Sequence, residues 1–225
     1  MPFMPVHSDQ PITHISAPYL TWGTILFCVV VQIWMSGLPV EAEWRAAYSF
    51  GFIPGEMMVG LQRPPAIDVL PAEFTLLTYQ FFHGGVGHLI GNMLVLFVFG
   101  GVVEDRFGHV RFGLLYLGAG VIAGLAHGMQ FPESTTVLVG ASGAIAGVLG
   151  AYIVMFPRAR VTLLGPLFIP LRLRAWLLIG IWFLIDLFMA GYGGDSNVAW
   201  SAHVAGFMVG VLAGLMGRRL ERFRI

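Results

Sequence analysis

Apolar residues along this chain gather into six long runs, each bounded by polar or glycine-containing stretches. The runs are Tyr19–Leu38, His88–Val103, Phe112–Gln130, Gly140–Phe156, Ala175–Tyr192 and Ala202–Met216. A membrane-crossing helix needs about 20 such residues, with a range that starts near 17. The second and sixth runs are short and the fourth is rich in glycine, but all six read as candidate spans. The pattern predicts an all-α, polytopic membrane protein, a bundle of six transmembrane helices.

Between the first two spans lies a long connection, residues 39–87. It carries Glu41, Glu43, Glu56, Asp68 and Glu73 against Arg45 and Arg63. Trp44, Tyr48, Phe50, Phe52 and Ile53 make it too apolar for a disordered linker, so it is expected to be folded and partly interfacial. Nothing along the chain marks a second domain or an internal repeat.

Composition agrees with the pattern. The hydrophobic fraction is 57% and the charged fraction 11%, against about 25% charged residues in soluble domains. A net charge of zero argues against a nucleic-acid partner, which would call for a basic surface. Cys28, the single cysteine, excludes an intrachain disulfide. Residues 1–18 contain no Lys or Arg and no small-residue cleavage site, so the first apolar run reads as a retained anchor rather than a cleaved signal peptide.

All 12 basic residues are arginines, and their placement tests the span count. Arg106 and Arg111 follow span two, Arg158, Arg160, Arg172 and Arg174 follow span four, and Arg218, Arg219, Arg222 and Arg224 follow span six. In a six-span chain these share one side, with Arg45 and Arg63 on the other. Positive charge marks the cytoplasmic side, which puts both termini inside and the 39–87 loop outside. The expected organisation is a short cytoplasmic segment (1–18), a membrane domain (19–217) and a basic cytoplasmic tail (218–225).

With this topology spans two, four and six run in the same direction, and their polar residues share a depth. His83, His88 and Asn92 lie at the head of span two, Ser142 at the head of span four and His203 at the head of span six. Polar groups in lipid are costly and point to function. A hydroxyl and an imidazole at one depth suggest a nucleophile and its base. Small residues recur at Ser142, Ala146 and Gly150, at Gly143, Gly147 and Ala151, and at Ala202, Gly206, Gly210 and Gly214. Such stripes let helix backbones approach closely in lipid. Stripes of this kind commonly serve assembly alone, but here one begins beside His203 and another at Ser142.

These residues carry a resemblance. The run from His83 to Asn92 (HGGVGHLIGN), Gly140-Ala141-Ser142-Gly143, and Ala202-His203 with Gly206 resemble the motifs of rhomboid intramembrane serine proteases of the six-span bacterial form. Trp44-Arg45 and Gly100-Gly101 with Glu104 are similar to further family features, and the match follows the family's order from residue 19 onward. The resemblance implies Ser142 as nucleophile and His203 as general base, a dyad without a carboxylate. It implies His88 and Asn92 as oxyanion donors together with the Ser142 backbone N–H, and His83 as a residue that supports the site. It also implies single-span transmembrane proteins as substrates, no cofactor, and an integral protein of a bacterial inner (cell) membrane. One departure is Ala146, where many family members carry an aromatic residue that packs on the catalytic histidine; either another aromatic restrains His203 or the dyad is looser.

Other readings stay in view. A metal site would use the histidines, but His83 and His88 are five apart and lack an acidic or cysteine companion; His7, His14, His109 and His127 are expected in loops or interfaces. Asp186 lies well inside span five and needs a partner or water. It leaves room for a proton-coupled transporter, although the polar residues do not continue to the cytoplasmic side. A non-catalytic protein that binds transmembrane partners is the remaining alternative.

Overall fold

The computed structural model describes residues 4–165, 169–192 and 198–222, with side chains as far as Arg218. Five helices are long and apolar enough to cross a membrane: α1 (Tyr19–Ser36), α5 (Val86–Phe107), α6 (His109–Gln130), α8 (Ala175–Tyr192) and α9 (Trp200–Arg222). The sixth apolar helix, α7 (Ser142–Met155), has 14 residues. The expected helical membrane bundle is therefore present, and the protein is an integral membrane protein. The end of the basic tail, including Arg224, lies outside the described residues, as do residues 1–3.

Helix α7 is shorter than the Gly140–Phe156 run for two local reasons. Gly140 adopts φ +130°, a conformation outside the helical region that L side chains rarely take. At the other end Phe156 precedes Pro157, and a residue before proline is disfavoured in helical geometry. At 1.5 Å per residue, α7 covers about 21 Å of a hydrocarbon core about 30 Å thick. Its residues from Gly143 to Val148, with Gly150, Ala151 and Tyr152, are buried. It is the central helix, and it is too short to cross that core by itself.

Glycine contacts fix how α7 and α9 meet. A Cβ on Gly206 would run into the Gly143 carbonyl, one on Gly210 into the Gly147 carbonyl, and one on Gly150 into the Phe207 carbonyl. The two helices thus run parallel with their backbones in contact, as small-residue packing in lipid allows. On the other side of α7, Gly143 faces Ala123 and Gly147 faces Ala119 of α6, an antiparallel register. Phe183 of α8 stacks on Phe207 of α9 at 4.4 Å between ring centroids. Otherwise α8 turns Trp176, Ile181, Leu184, Ile185, Leu187 and Phe188 outward, a surface suited to lipid.

At the end of the bundle that carries most arginines, Glu104 anchors α1 to α5. Its fully buried carboxylate accepts from the backbone N–H groups of Leu20 (3.0 Å) and Thr21 (2.8 Å) and from the Thr21 hydroxyl (2.7 Å), and lies 2.5 Å from His109 Nδ1. Leu20 and Thr21 belong to the first turn of α1, whose N–H groups have no intrahelical acceptor. A negative charge there also opposes the helix dipole favourably. The next residue, Asp105, accepts from the backbone N–H groups of Thr13, His14 and Ile15. Both carboxylates hold the chain that leads into α1.

A small antiparallel sheet at the same end was not expected from the apolar runs. Strands β1 (Met4–Ser8), β2 (Arg160–Leu164) and β3 (Pro170–Arg174) lie in that order. In β2, Val161 and Leu163 are buried while Arg160, Thr162 and Leu164 are not, the period of a half-buried strand. The register shifts between Pro5 and His7, where proline lacks the N–H a regular ladder uses. The 1–18 segment is therefore tied into the fold, and Ser8 Oγ hydrogen-bonds the Tyr152 hydroxyl at 2.6 Å.

The long connection folds as expected, into α2 (Val40–Phe50), α3 (Pro54–Val59), α4 (Ala72–Thr78) and a single 3-10 turn over Tyr79–Phe81. Arg63 holds it together. Its guanidinium pairs with the Glu56 carboxylate and donates to the carbonyls of Ser49, Ile67 and Leu70.

Candidate active site

The heads of α5, α7 and α9 meet at the end of the bundle opposite Glu104. Ser142 is the first residue of α7, and its Oγ lies 2.9 Å from Nε2 of His203. His203 is three residues past the start of α9. They are 61 positions apart in sequence, and the parallel register described above brings them together: Gly206 touches Gly143, which Ser142 directly precedes, and His203 lies one turn before Gly206.

The Gly140 turn brings in α5. A Cβ on Gly140 would sit 2.7 Å from Cε1 and 3.0 Å from Nε2 of His88, and 3.8 Å from Nδ2 of Asn92. Glycine is therefore required twice, for its positive φ and for the room these side chains take. His88 and Asn92 are four apart on one helix and project together. Asn92 is buried, and its Nδ2 has no protein acceptor among the described residues, so a donor stands free beside the serine turn. The first N–H groups of α7 point from the same place, since a helix start leaves them without intrahelical partners.

His83 sits in the loop before α5, only 2% exposed, with its ring edge-on to His88 at 5.2 Å. Burial, then the neighbouring His88, pushes its imidazole down to about 4, so it is uncharged at neutral pH. The five residues singled out from the sequence are thus brought to one end of the bundle. Elsewhere His14 pairs with Asp105 and His109 with Glu104, and His7 lies in β1 opposite Thr162. His127 sits at the end of a helix. It lies in the last turn of α6, with its ring centroid 5.1 Å from that of Phe131. Among the described residues no group of three or more His, Cys, Asp or Glu side chains could hold a metal ion.

Sequence reasoning missed three neighbours and left a fourth unexplained. The Tyr79 hydroxyl donates to the Gly120 carbonyl at 2.7 Å, and its own carbonyl accepts from the Gly140 N–H at 3.0 Å. Tyr79 therefore ties the 39–87 connection to the serine turn. Gln80, fully buried, donates to the Leu76 carbonyl and fills the space against Gly120. Trp200 packs edge-on to His203 at 6.0 Å, an aromatic restraint one turn before the histidine. Ala146 supplies none from α7. Asp186, the unexplained residue, places its Oδ2 3.5 Å from Nδ1 of His203. Trp200 and His203 are three apart on α9, a spacing that helical periodicity could have paired. Tyr79 with Gly120 and Gly140, and Asp186 with His203, have partners on other elements, which no sequence signal pairs.

The model of the Rhomboid domain matches residues 72–220. The chain is 32% identical over 213 residues to RHOMBOID-like protein 12, mitochondrial, of Arabidopsis thaliana, covering 87% of this chain and 60% of that protein. It is 30% identical over 155 residues to Rhomboid protein 1, mitochondrial, of Saccharomyces cerevisiae, covering 65% of this chain and 42% of that one. With Rhomboid-related protein 2 of Mus musculus it shares 35% identity over 148 residues, covering 61% and 46%. The chain thus spans less than two thirds of the length of these curated relatives.

Proposed function

The chain belongs to the rhomboid family, and from that premise we propose that it is an intramembrane serine endopeptidase that cleaves transmembrane segments of membrane proteins. The 2.9 Å contact between Ser142 Oγ and His203 Nε2, at the head of a helix too short to span the membrane, carries the reading. In an otherwise apolar bundle a nucleophile and base at hydrogen-bond distance are the parts an acyl transfer needs.

The reaction follows from the groups present. His203 Nε2 takes the Ser142 proton as Oγ attacks the scissile carbonyl carbon. The oxyanion that develops is held by Asn92 Nδ2, His88 and the N–H groups at the start of α7, preorganised donors in a medium of low dielectric. His203 then gives its proton to the departing amine, leaving an acyl-serine. Water entering from the loop side, activated by the same imidazole, hydrolyses the ester and restores Ser142. His83, neutral and buried against His88, steadies that donor rather than exchanging protons.

The substrate class is a single-span membrane protein whose helix locally unwinds, since a helical backbone hides its carbonyls from attack. The arginine distribution supports a cytoplasmic location for both termini and an external 39–87 loop, with residues 19–217 as the catalytic unit. The cell membrane of a bacterium is the setting this topology suits.

The test uses the full chain in detergent micelles with a single-span model substrate. Ser142→Ala and His203→Ala should each abolish cleavage, and the double variant should be no worse, because the two act as a unit. A fluorophosphonate probe should label the native protein and not Ser142→Ala. Undiminished cleavage by Ser142→Ala would end the serine-protease reading.

A further inference from the structure

We infer that Asp186 is a positioning residue for His203, so that the site works as a Ser–His–Asp arrangement inside the membrane. This deepens the proposed proteolytic function and rests on it. His203 presents its two ring nitrogens to different helices: Nε2 to Ser142 of α7 at 2.9 Å, and Nδ1 to Asp186 of α8 at 3.5 Å. Asp186 is the one carboxylate within ion-pair distance of His203 among the described residues.

The placement follows from the face of α8 that docks. Ile179 is buried, Phe183 stacks on Phe207, and the Ala190 carbonyl accepts from Gln130 Nε2. With Asp186 these residues form a stripe at helical spacing of four, three and four, the inward face of α8. Ile185 and Leu187, on either side of Asp186, face outward. The Phe183–Phe207 stack lies one turn from the Asp186–His203 pair on both helices, and it sets the spacing between them.

An intramembrane carboxylate is expensive and calls for a compensating partner. Chemistry supplies the reason for this one. Neutral imidazole carries its proton on either nitrogen, and only the Nδ1–H form leaves Nε2 free to accept from serine. A carboxylate beside Nδ1 selects that tautomer and stabilises the imidazolium formed during attack. The separation is longer than a formed hydrogen bond, as catalytic contacts commonly are before substrate tightens them. Asp186 also answers the absence of an aromatic at Ala146, because it holds the ring from the side opposite α7.

The experiment compares Asp186→Asn, which keeps shape and removes charge, with Asp186→Glu, which returns a carboxylate on a longer arm. Both are made in the full chain in micelles and checked for folding by size exclusion. Asp186→Asn should lower kcat about 10- to 100-fold with little change in KM, a milder form of the loss seen when a triad carboxylate is neutralised. Asp186→Glu should recover part of it. Independently of turnover, 15N spectra of His203 in a Ser142→Ala background should show the Nδ1–H tautomer, and a smaller share of it after Asp186→Asn. An unchanged kcat with an unchanged tautomer overturns the inference and leaves the Ser142–His203 dyad standing. A rise in KM with the tautomer unchanged also overturns it, since Asp186 would then only seat α8. Cleavage surviving in Ser142→Ala removes the protease reading itself. The tautomer spectra, recorded without substrate, keep those two failures apart.

Discussion

Gly206 of α9 lies against the carbonyl of Gly143 in α7 so closely that a methyl group at Gly206 has no room. This contact sets the register that brings His203 to Ser142, so a packing relation between two glycines decides the geometry of the proposed chemistry. Gly210 repeats it one turn on, against Gly147. Gly210→Ala should therefore push the helices apart, destabilise the fold by about 1–3 kcal/mol as overpacking does, and lower activity without touching a reacting group. Thermal unfolding in detergent alongside cleavage at matched folded concentration measures both.

Asn92→Ala separates an oxyanion donor from a structural amide. The Asn92 Nδ2 has no protein acceptor among the described residues, so its removal breaks no hydrogen bond seen for that donor and should cost little stability. Catalysis should suffer, with kcat falling about 100-fold or more. KM should stay near its native value, because the charge exists mainly in the transition state. Steady-state kinetics on folded protein decide it, and normal turnover would remove Asn92 from the oxyanion site.

Glu104→Ala acts at the opposite end. It strips two backbone donors and the Thr21 hydroxyl of their acceptor at the start of α1. Buried groups left unpaired cost about 1–3 kcal/mol apiece, so a stability loss of several kcal/mol is expected, far larger than that of Asn92→Ala. Glu104→Gln, which retains one acceptor oxygen, should lose less. Chemical or thermal unfolding of the three proteins provides the comparison.

The arginines predict sidedness. A cysteine introduced between α3 and α4, in a Cys28→Ser background, should react with an impermeant thiol reagent added to intact cells. One placed in the turn between α5 and α6 should react only after the membrane is opened. The reverse pattern would move the proposed site to the cytoplasmic half of the bilayer.

The amino-acid sequence by itself determined the class of protein and singled out the residues of the proposed site. Spans are legible because a bilayer demands long apolar runs whatever their partners, and the resemblance rests on motifs that sit on those spans in order. Parallel directions for α5, α7 and α9 are what six crossings imply, and on that count Ser142, His203, His88 and Asn92 are expected at one depth. Tertiary structure decided what counting cannot reach. Pairing β1 with β2 joins residues more than 150 positions apart, such as Met4 and Leu164, and neither strand signals the other. Glu104 reads as one carboxylate near a helix end until α1 folds back and offers it Leu20 and Thr21. Among the small-residue stripes, only backbone contact selects Gly143 and Gly147 as the partners of Gly206 and Gly210. Asp186 is the sharpest case: its sequence position marks an expensive charge in lipid, but which group answers it depends on the rotation of α8. That rotation is set by Phe183 on Phe207, a side-chain contact between helices, and hydropathy along one helix carries no information about it.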